Sequence, residues 1–254
     1  MSLYPDQRKQ LQNNNLCKLF QEALFLAKDS SIARNYLRDR NITKSIAKKF
    51  SIGWCPTNAK LSEDMEYFRG RIIFPIIDEY ENTIAFSGRL TINKKEIIGK
   101  QLRWFHQNYN KSFFLYGINV SYKDILKNDY VIITEGQTDV ITCHKFGFTN
   151  TVGLMGSSFT DDSIAKITRF TRNFVLMYDG DEEGREAALK TKKRLLKHRN
   201  FKVIDIPLIY KENRYDPDEF LNKFGPKLIK RKMILLSKKI KENVKNARRI
   251  WIIY

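Results

Sequence analysis

The chain has 254 residues, of which 42% are hydrophobic and 29% charged, enough to bury a sizeable core and typical of a globular protein. Its formal net charge of +18 favours a polyanionic partner, and nucleic acid is the first candidate because phosphate neutralisation dominates that kind of binding. Three widely separated cysteines and only short apolar runs argue against a disulfide framework, a zinc ribbon and a membrane-spanning helix.

The N-terminal part of the sequence predicts three short helices. Residues 1–15 are polar and predict a loose arm. From Leu16 to Lys28 apolar residues recur at helical spacing, and a second helix is predicted from about Ile32 to Arg40. Asn41 suits the left-handed turn that ends this helix, and Thr43 suits the N-cap of a third helix.

Two β-rich runs, Phe68 to Asp78 and Ile84 to Leu90, flank a short polar turn and predict an antiparallel hairpin. Pro75 cannot donate a ladder hydrogen bond, so it pushes its strand toward a sheet edge or a bulge. Arg71 and Arg89 lie in these two strands. Each fits either a solvated charge that protects a strand edge or part of a basic binding surface.

Residues 100–117 interleave Lys and Arg with aromatic rings. Rings can stack bases while cations such as Lys100 and Lys111 neutralise phosphates, so the block is a candidate track for a single strand or an incoming nucleotide. The same rings suit a hydrophobic core, and their periodicity favours that interpretation.

From Val131 to Ile206 strands and helices alternate in the order β-α-β-α-β-α-β, which predicts a parallel sheet with right-handed crossovers. The predicted strands are Val131–Thr134, Thr151–Leu154, Phe174–Tyr178 and Phe201–Ile206. The predicted helices are about Val140–Phe146, Ser163–Thr171 and Glu182–His198.

Acidic residues follow two of these strands. Glu135 and Asp139 come after the first strand, and Asp179 and Asp181 come after the third. Ligands of an open α/β sheet bind beyond the carboxyl ends of its strands, so we expect these four carboxylates to converge there. Carboxylates without His or Cys are typical of a Mg²⁺ or Mn²⁺ site. By itself, the Asp179-Gly-Asp181 motif also fits an acidic helix start.

The C-terminal part of the sequence is acidic first and then basic. Asp216-Pro217-Asp218 follows the fourth strand and by itself predicts only an N-terminal helix cap. From Pro226 to Tyr254, ten Lys or Arg stand against a single acid, and apolar residues recur at helical spacing. This pattern predicts basic amphipathic helices that pack on the core and present charge to solvent or to nucleic acid.

Two motifs, Glu135-Gly-Gln-Thr-Asp139 and Asp179-Gly-Asp181, resemble the two signatures of the Toprim fold, which DnaG-type primases, topoisomerases and some nucleases share. Further blocks within residues 33–56, 68–90 and 115–117 are similar to the catalytic core, the RNA polymerase domain, of a bacterial or phage DnaG-type primase. The resemblance covers roughly residues 16–225.

The resemblance implies a fold and a set of site residues. The fold is α/β, or α+β overall: a Toprim parallel-sheet core that follows a mixed α+β N-terminal subdomain and precedes basic C-terminal helices. The implied catalytic residues are Glu135, Asp139, Asp179 and Asp181. The implied metal ligands are Glu135, Asp179, Asp181, Asp216 and Asp218. The implied nucleotide-binding or nucleic-acid-binding residues are Arg71, Arg89, Lys100 and Lys111.

The implied function is the synthesis of short RNA primers on single-stranded DNA by ribonucleotidyl transfer. Two or three Mg²⁺ or Mn²⁺ ions are expected and zinc is not. The expected partners are a single-stranded DNA template, ribonucleoside triphosphates and the RNA primer, with a replicative helicase and a separate zinc-binding protein as further candidates, and no membrane. The expected location is the bacterial cytoplasm, or the host cytoplasm for a phage protein.

Other interpretations remain open at this point. A Toprim nuclease would use the same acids for hydrolysis, and a non-catalytic DNA-binding accessory protein would use the charge alone. A topoisomerase is disfavoured because the chain has no room for gate domains. Lysine-rich coding by a low-GC genome would also produce the positive charge.

We therefore expect four parts: a loose arm (1–15), an α+β subdomain with the basic block (16–125), a Toprim metal-binding domain (126–225) and a basic helical segment (226–254). No cysteine set matches the family's zinc-binding module, and the C-terminal residues are few for its helicase-binding bundle. The expectation is a compact or reduced primase, or an excised core.

Overall fold

The computed structural model describes residues 5–91, 103–155 and 158–234 of the chain. Its helices are α1 (Gln7–Leu26), α2 (Ser31–Asp39), α3 (Lys44–Lys49), α4 (Ile118–Asn128), α5 (Gln137–Lys145), α6 (Asp161–Thr168), α7 (Glu182–Leu195) and α8 (Pro217–Phe224). Its strands are β1 (Gly53–Cys55), β2 (Arg71–Ile77), β3 (Thr83–Leu90), β4 (Trp104–His106), β5 (Val131–Thr134), β6 (Thr151–Gly153), β7 (Asn173–Leu176), β8 (Lys202–Asp205), β9 (Ile209–Tyr210) and β10 (Asn213–Arg214). None of the helices in these described ranges is long and apolar enough to cross a membrane.

The N-terminal helix is longer than the sequence predicted. It begins at Gln7, where the side chain of Asp6 forms the N-cap, so the predicted loose arm over residues 1–15 is wrong for most of its length. The reason is tertiary: the Asn13 side-chain amide donates to a backbone carbonyl of β3 at 2.9 Å, and the Asn14 side chain accepts from a β3 backbone N–H at 2.7 Å. A polar composition does not reveal that these asparagines have partners in a distant strand.

The helical layer packs on the antiparallel sheet. α1 lies so close to β1 that a Cβ added at Gly53 would come within 2.6 Å of the Cβ of Phe20. The turn after α2 forms as predicted, with Asn41 at a φ of +53°, and the Thr43 side chain caps α3. Together these elements enclose a hydrophobic core.

The antiparallel sheet has the strand order β1-β2-β3-β4, and β2 and β3 form the predicted hairpin. Both strands are internal, and nearly all of their residues are buried. Pro75 therefore does not mark an edge strand. Instead, the register slips between Ile76 and Ile77, so the bulge that the sequence offered as the alternative is the one observed.

The second sheet is parallel throughout, in the order β6-β5-β7-β8, as the alternating pattern predicted. α5 begins three residues earlier than expected, at Gln137, because the Asp139 side chain accepts from the N–H of Gly136 and closes the first turn. α7 ends at Leu195, before the predicted end at His198. β9 and β10 form a short hairpin that leads into α8.

The C-terminal basic segment is described only in its first part. Residues 227–234 are helical, and Ile229 is fully buried in the core beneath the parallel sheet. The remainder of the predicted segment 226–254 lies outside the described residues.

Backbone hydrogen bonds and a buried ion pair connect the N-terminal part of the chain to the parallel-sheet unit. Tyr116 and Gly153 exchange N–H···O=C bonds of 2.9 and 3.0 Å. The Lys166 ammonium lies 2.9 Å from the Glu79 carboxylate, with both side chains almost fully buried. Ile125 of α4 packs in the core of the parallel sheet, so the last helix of the predicted N-terminal subdomain lies against the α/β unit.

Candidate metal centre and basic surface

Two acidic motifs meet at the carboxyl edge of the parallel sheet. β5 and β7 are neighbours; Glu135 follows β5 directly, and Asp179 follows β7 after Met177 and Tyr178. The Glu135 side chain accepts a hydrogen bond from the backbone N–H of Asp179 at 3.2 Å. The structure therefore brings these two motifs, which lie 44 residues apart, into direct contact.

Asp179 has the environment of a carboxylate that lacks a counter-ion. Burial raises its pKa to about 7, helped by the negative charges of Glu135 and Asp216. Its Oδ1 atom is buried and has no hydrogen-bond partner among the described residues. An unpaired buried oxygen of this kind is costly, and a bound cation would relieve the cost.

Glu135 and Asp139 share this environment. Burial raises the pKa of Glu135, and the hydrogen bond from Asp179 opposes that effect in part. Burial also raises the pKa of Asp139 well above its ordinary range, and the charges of Asp179 and Asp216 raise it further. One Asp139 oxygen accepts from the Gly136 N–H at 3.0 Å, which closes the first turn of α5. The same side chain lies near Asp179 and Asp216, and these three carboxylates and that of Glu135 form the acidic group.

Asp181 and Asp216 are helix N-caps as well as members of the acidic set. Asp181 accepts from the Gly184 N–H at 2.8 Å, and Asp216 accepts from the Glu219 N–H at 2.6 Å. The simpler interpretation of both motifs as acidic helix starts is therefore correct for one oxygen of each side chain. Burial raises the pKa of Asp216, as do the nearby charges of Glu219 and Asp218.

The start of α8 is held against the β7–α7 turn by a tight backbone contact. The Gly180 N–H donates to the Tyr215 carbonyl at 2.9 Å, and a Cβ at Gly180 would lie 2.6 Å from the Leu208 carbonyl oxygen. Only glycine allows the two segments to approach this closely. The third acidic motif is thereby brought beside the second.

Asp218 differs from the other acids because its carboxylate already has partners. The Arg40 guanidinium lies 2.6 Å from Oδ2, and the Thr142 hydroxyl donates to Oδ1 at 2.5 Å. The Asn222 side-chain amide also donates to Oδ1, at 2.8 Å. The geometry thus places Asp218 beside the acidic group but directs its oxygens toward protein partners.

The donor set suits a hard divalent cation. The converging groups are all carboxylates, and the unpaired Oδ1 of Asp179 is a ready ligand. Within residues 5–91, 103–155 and 158–234, no three or more His, Cys, Asp or Glu side chains are arranged so that together they could hold a metal ion. Mg²⁺ commonly binds through one or two carboxylates, several waters and substrate phosphates, so the residues present fit such an ion.

The two predicted arginines lie inside the antiparallel sheet rather than on its edge. Arg71 and Arg89 are 7% and 6% exposed, so they are not the solvated edge charges that the sequence left open. The Arg71 Nε donates to the Tyr67 carbonyl at 2.7 Å. Burial lowers the pKa of Arg89 to about 10, and its Nε has no hydrogen-bond partner among the described residues.

Arg89 belongs to a ladder of alternating cations and rings. Its guanidinium lies 5.0 Å from the Tyr36 ring centroid and 5.1 Å from that of Trp104. Arg40 lies 5.1 Å from the same Tyr36 ring. Because Arg40 also pairs with Asp218, this row of contacts links the antiparallel sheet that carries Arg71 and Arg89, the basic sheet, to the acidic group. Sequence reasoning missed Arg40 and Tyr36; their i,i+4 spacing on α2 was the available signal.

Of the two predicted lysines, the structure describes only Lys111. Lys100 lies outside the described residues. Lys111 lies in a segment that is anchored to α6, since the Ser112 carbonyl accepts from the hydroxyl groups of Thr160 and Ser163. The rings of this block are mostly core, as periodicity indicated: Phe114 and Tyr116 are 1% exposed.

Two protein-family models match the chain. Residues 58–121 match the N-terminal domain of the DNA primase catalytic core, and residues 132–221 match a Toprim-like domain. The DNA primase of Lactococcus lactis is 29% identical over 240 residues, which cover 85% of this chain and 37% of that protein. The DNA primase of Enterococcus faecalis is 28% identical over 244 residues, covering 84% and 38%. The chain thus spans about two fifths of the length of these relatives.

Solved structures share the fold. The zinc-binding and RNA polymerase domains of the Aquifex aeolicus primase align with a TM-score of 0.76 at 23% identity, covering 98% of this chain and 67% of that one. The RNA polymerase domain of Mycobacterium tuberculosis primase DnaG aligns with a TM-score of 0.74 at 23% identity, covering 91% and 84%. A DnaG primase catalytic domain bound to single-stranded DNA gives 0.74 at 23%, covering 90% and 80%. The expected α/β fold with a Toprim core is confirmed.

Proposed function

Because residues 58–121 match the N-terminal domain of the DNA primase catalytic core and residues 132–221 match a Toprim-like domain, we propose that this chain is a DnaG-type primase catalytic core, which synthesises short RNA primers on single-stranded DNA by metal-dependent ribonucleotidyl transfer. The observation that carries the proposal is the contact between Glu135 and Asp179, which joins two acidic motifs at the sheet edge where ligands of α/β folds bind. The buried, unpaired Oδ1 of Asp179 supports a cation at that point.

Mg²⁺ or Mn²⁺ is the cofactor of this proposal. Bound divalent ions would supply charge neutralisation on the phosphates and activation of the attacking hydroxyl. Asp179 and Glu135 are the principal ligands, while Asp181 and Asp216 each retain one oxygen that does not cap a helix. Asp139 is buried, and one of its oxygens accepts from the Gly136 N–H. We therefore give it the role of keeping the first turn of α5 closed beside the metal ligands.

The basic residues supply the nucleic-acid side of the proposal. Arg89 and Arg71 lie in the antiparallel sheet, and Lys111 lies on the adjoining segment. Lys100 is assigned to the same surface by resemblance alone. In this proposal these cations bind the phosphates of the template or of incoming ribonucleotides. The growing end of the primer lies at the edge of the acidic group. A cavity of about 460 Å³, lined by Asp179, Arg185 and Arg214 among others, offers space for a phosphate-bearing group beside the acids.

The partners and the domain division follow from the same proposal. The substrates are single-stranded DNA and ribonucleoside triphosphates. A helicase and a separate zinc-binding protein are the candidate protein partners, and the proposed location is the cytoplasm. The proposed units are residues 16–125 and 126–225, with the C-terminal basic segment as a further surface for nucleic acid.

The test is an incorporation assay on a single-stranded DNA template with labelled ribonucleotides and Mg²⁺ or Mn²⁺. Short, template-dependent RNA is expected from the wild type, and Asp179→Ala should abolish it because the central metal ligand is lost. Glu183→Ala, an exposed neighbouring acid outside the proposed ligand set, is the matched control and should retain activity. Cleavage of the template without incorporation would establish a nuclease instead, and DNA binding without either reaction would leave a DNA-binding protein.

A further inference from the structure

A polar junction between α2, α5 and α8 lies directly beside the acidic group. The Arg40 guanidinium contacts the Asp218 carboxylate at 2.6 Å, and the Lys145 ammonium donates to the Arg40 carbonyl at 3.3 Å. Lys145 also donates to the Asn222 side chain at 2.6 Å. The helical layer and the parallel-sheet unit are thus connected through residues that are 178 positions apart in the chain.

Both oxygens of Asp218 are engaged in this junction. Oδ2 faces Arg40, while Oδ1 accepts from Thr142 and Asn222. The side chains of Arg40 and Asp218 are 31% and 14% exposed, so water competes little for the carboxylate. A carboxylate with this many donors has little capacity left for a metal ion, because each donor occupies a lone pair that an ion would need.

The same junction fixes the first turn of α8, where Asp216 is the N-cap. Asp216 stands two residues before Asp218, and its Oδ1 is held by the Glu219 N–H at 2.6 Å. A displacement of the α8 start relative to α5 would therefore carry Asp216 away from Asp179. The pairing of Asp218 with Arg40 and Thr142 opposes such a displacement.

We propose that Arg40 is a positioning residue for the metal centre, and that Asp218 is an anchor for α8 rather than a metal ligand. Arg40 binds Asp218, Asp218 holds the α8 start against α5, and Asp216 is thereby presented to the metal beside Asp179. This inference rests on the proposed function, because it concerns how the acids of that function are placed.

Ring contacts hold the Arg40 side chain from the side opposite to Asp218. Tyr36 contacts both Arg40 and Arg89, at 5.1 and 5.0 Å from its ring centroid. The position of Arg40 is therefore set from one side by the ring packing of the basic sheet and from the other by Asp218. Arg40 is the point at which the basic sheet and the acidic group share a contact.

The test compares Mn²⁺ affinity by isothermal titration calorimetry in the full chain and its variants. An anchoring role predicts that Arg40→Met and Asp218→Asn each weaken Mn²⁺ binding by about tenfold, the loss typical of groups that support metal ligands. The double variant should be no weaker than either single variant, because both changes break one interaction. Arg40→Lys, which keeps the charge, should recover part of the affinity.

A ligand role for Asp218 predicts a different pattern and would overturn the inference. Arg40→Met would then release a carboxylate and strengthen Mn²⁺ binding, whereas Asp218→Asn alone would weaken it. Arg38→Met is the matched control, since Arg38 is an exposed arginine of the same helix whose acid partner is its neighbour Asp39 at 3.7 Å. Its Mn²⁺ affinity should equal that of the wild type.

A second measurement does not depend on metal. Amide hydrogen exchange of Glu219 and Phe220, the first-turn donors of α8, should accelerate in metal-free Arg40→Met and Asp218→Asn and stay unchanged in Arg38→Met. Unchanged exchange in both junction variants refutes the anchor. If exchange accelerates but the wild type binds no Mn²⁺, the anchor stands and the proposed metal function fails.

Discussion

The carboxylate of Asp179 is held in surroundings that favour its neutral form. Burial and the charges of Glu135 and Asp216 raise its pKa from 3.8 to about 7. The folded state therefore binds a proton that the unfolded state has already released between these two pH values. Protonation stabilises the metal-free fold, and this contribution is lost as the pH rises through about 7.

The first prediction concerns pH and metal together. Thermal unfolding of the metal-free chain should show stability falling between about pH 4 and about pH 7, and Asp179→Asn should reduce that fall, because the amide does not titrate. Added Mn²⁺ should stabilise the wild type little at the lower pH and clearly at the higher pH, since metal ligands must be deprotonated. Equal Mn²⁺ stabilisation at both values would contradict the assignment of Asp179.

The second prediction concerns Arg89. Arg89→Lys should weaken binding of a fluorescent single-stranded oligonucleotide by about fivefold or more, because lysine replaces neither the planar stacking on Tyr36 and Trp104 nor the forked donors. Fluorescence anisotropy at fixed ionic strength measures the affinity. Lys197→Ala removes an exposed charge and serves as the control for net charge. An Arg89→Lys affinity equal to that of the wild type would argue that the guanidinium is purely structural.

At the scale of elements, the site depends on how helices begin. Asp181 and Asp216 are the N-caps of α7 and α8, and Asp139 lies in the first turn of α5, where its side chain accepts from the N–H of the N-cap Gly136. Each of these carboxylates satisfies a backbone N–H at the start of its helix and lies at the helix N-terminus, where the helix dipole favours negative charge. The elements that form the fold therefore also gather the acids.

The third prediction concerns the start of α7. A Cβ at Gly184 would overlap the Asp179 carbonyl oxygen, so Gly184→Ala must push the helix away from the β7–α7 turn. We expect a loss of about 2 kcal/mol in the free energy of unfolding, measured by urea denaturation. Mn²⁺ binding should weaken as well, because Asp179 and Asp181 flank the displaced turn. Glu183→Ala, at an exposed position of the same turn, should change the free energy of unfolding by less than about 0.5 kcal/mol.

At the scale of the whole molecule, the two sheet-containing units are held together by a buried ionic contact. Lys166 of α6 is fully buried, and its ammonium lies 2.9 Å from Glu79 in the β2–β3 turn and 4.4 Å from the Phe113 ring centroid. Arg169 contacts the other oxygen of Glu79 at 3.0 Å. This contact therefore also supports the segment that carries Lys111.

The fourth prediction follows from that contact. Lys166→Met should lower the free energy of unfolding by about 3 kcal/mol, because it leaves Glu79 buried with only the half-exposed Arg169 as counter-ion. The double variant Lys166→Met, Glu79→Leu should recover much of the loss in the same urea titration. Lys190→Met, which breaks the exposed pair with Glu186, should have an effect below about 0.5 kcal/mol. A small effect of Lys166→Met would show that Arg169 alone neutralises Glu79.

Much of the fold and part of the site could be predicted from the sequence. The order of strands and helices from Val131 to Asp205 follows from local periodicity, and the placement of Glu135 near Asp179 follows from a general rule about parallel sheets. Helix starts were less accurate: Gln7 and Gln137 begin their helices earlier than expected, because the capping partners and the buried contacts of Asn13 are not visible in local composition.

The sequence by itself determined which elements form and which carboxylates follow them, because both depend on residues within a few positions of one another. Only the tertiary structure decided that Asp218 faces Arg40 and that Arg89 is buried between two rings. Those partners come from helices and strands far apart in the chain, and which oxygen or guanidinium is already engaged depends on how these elements pack.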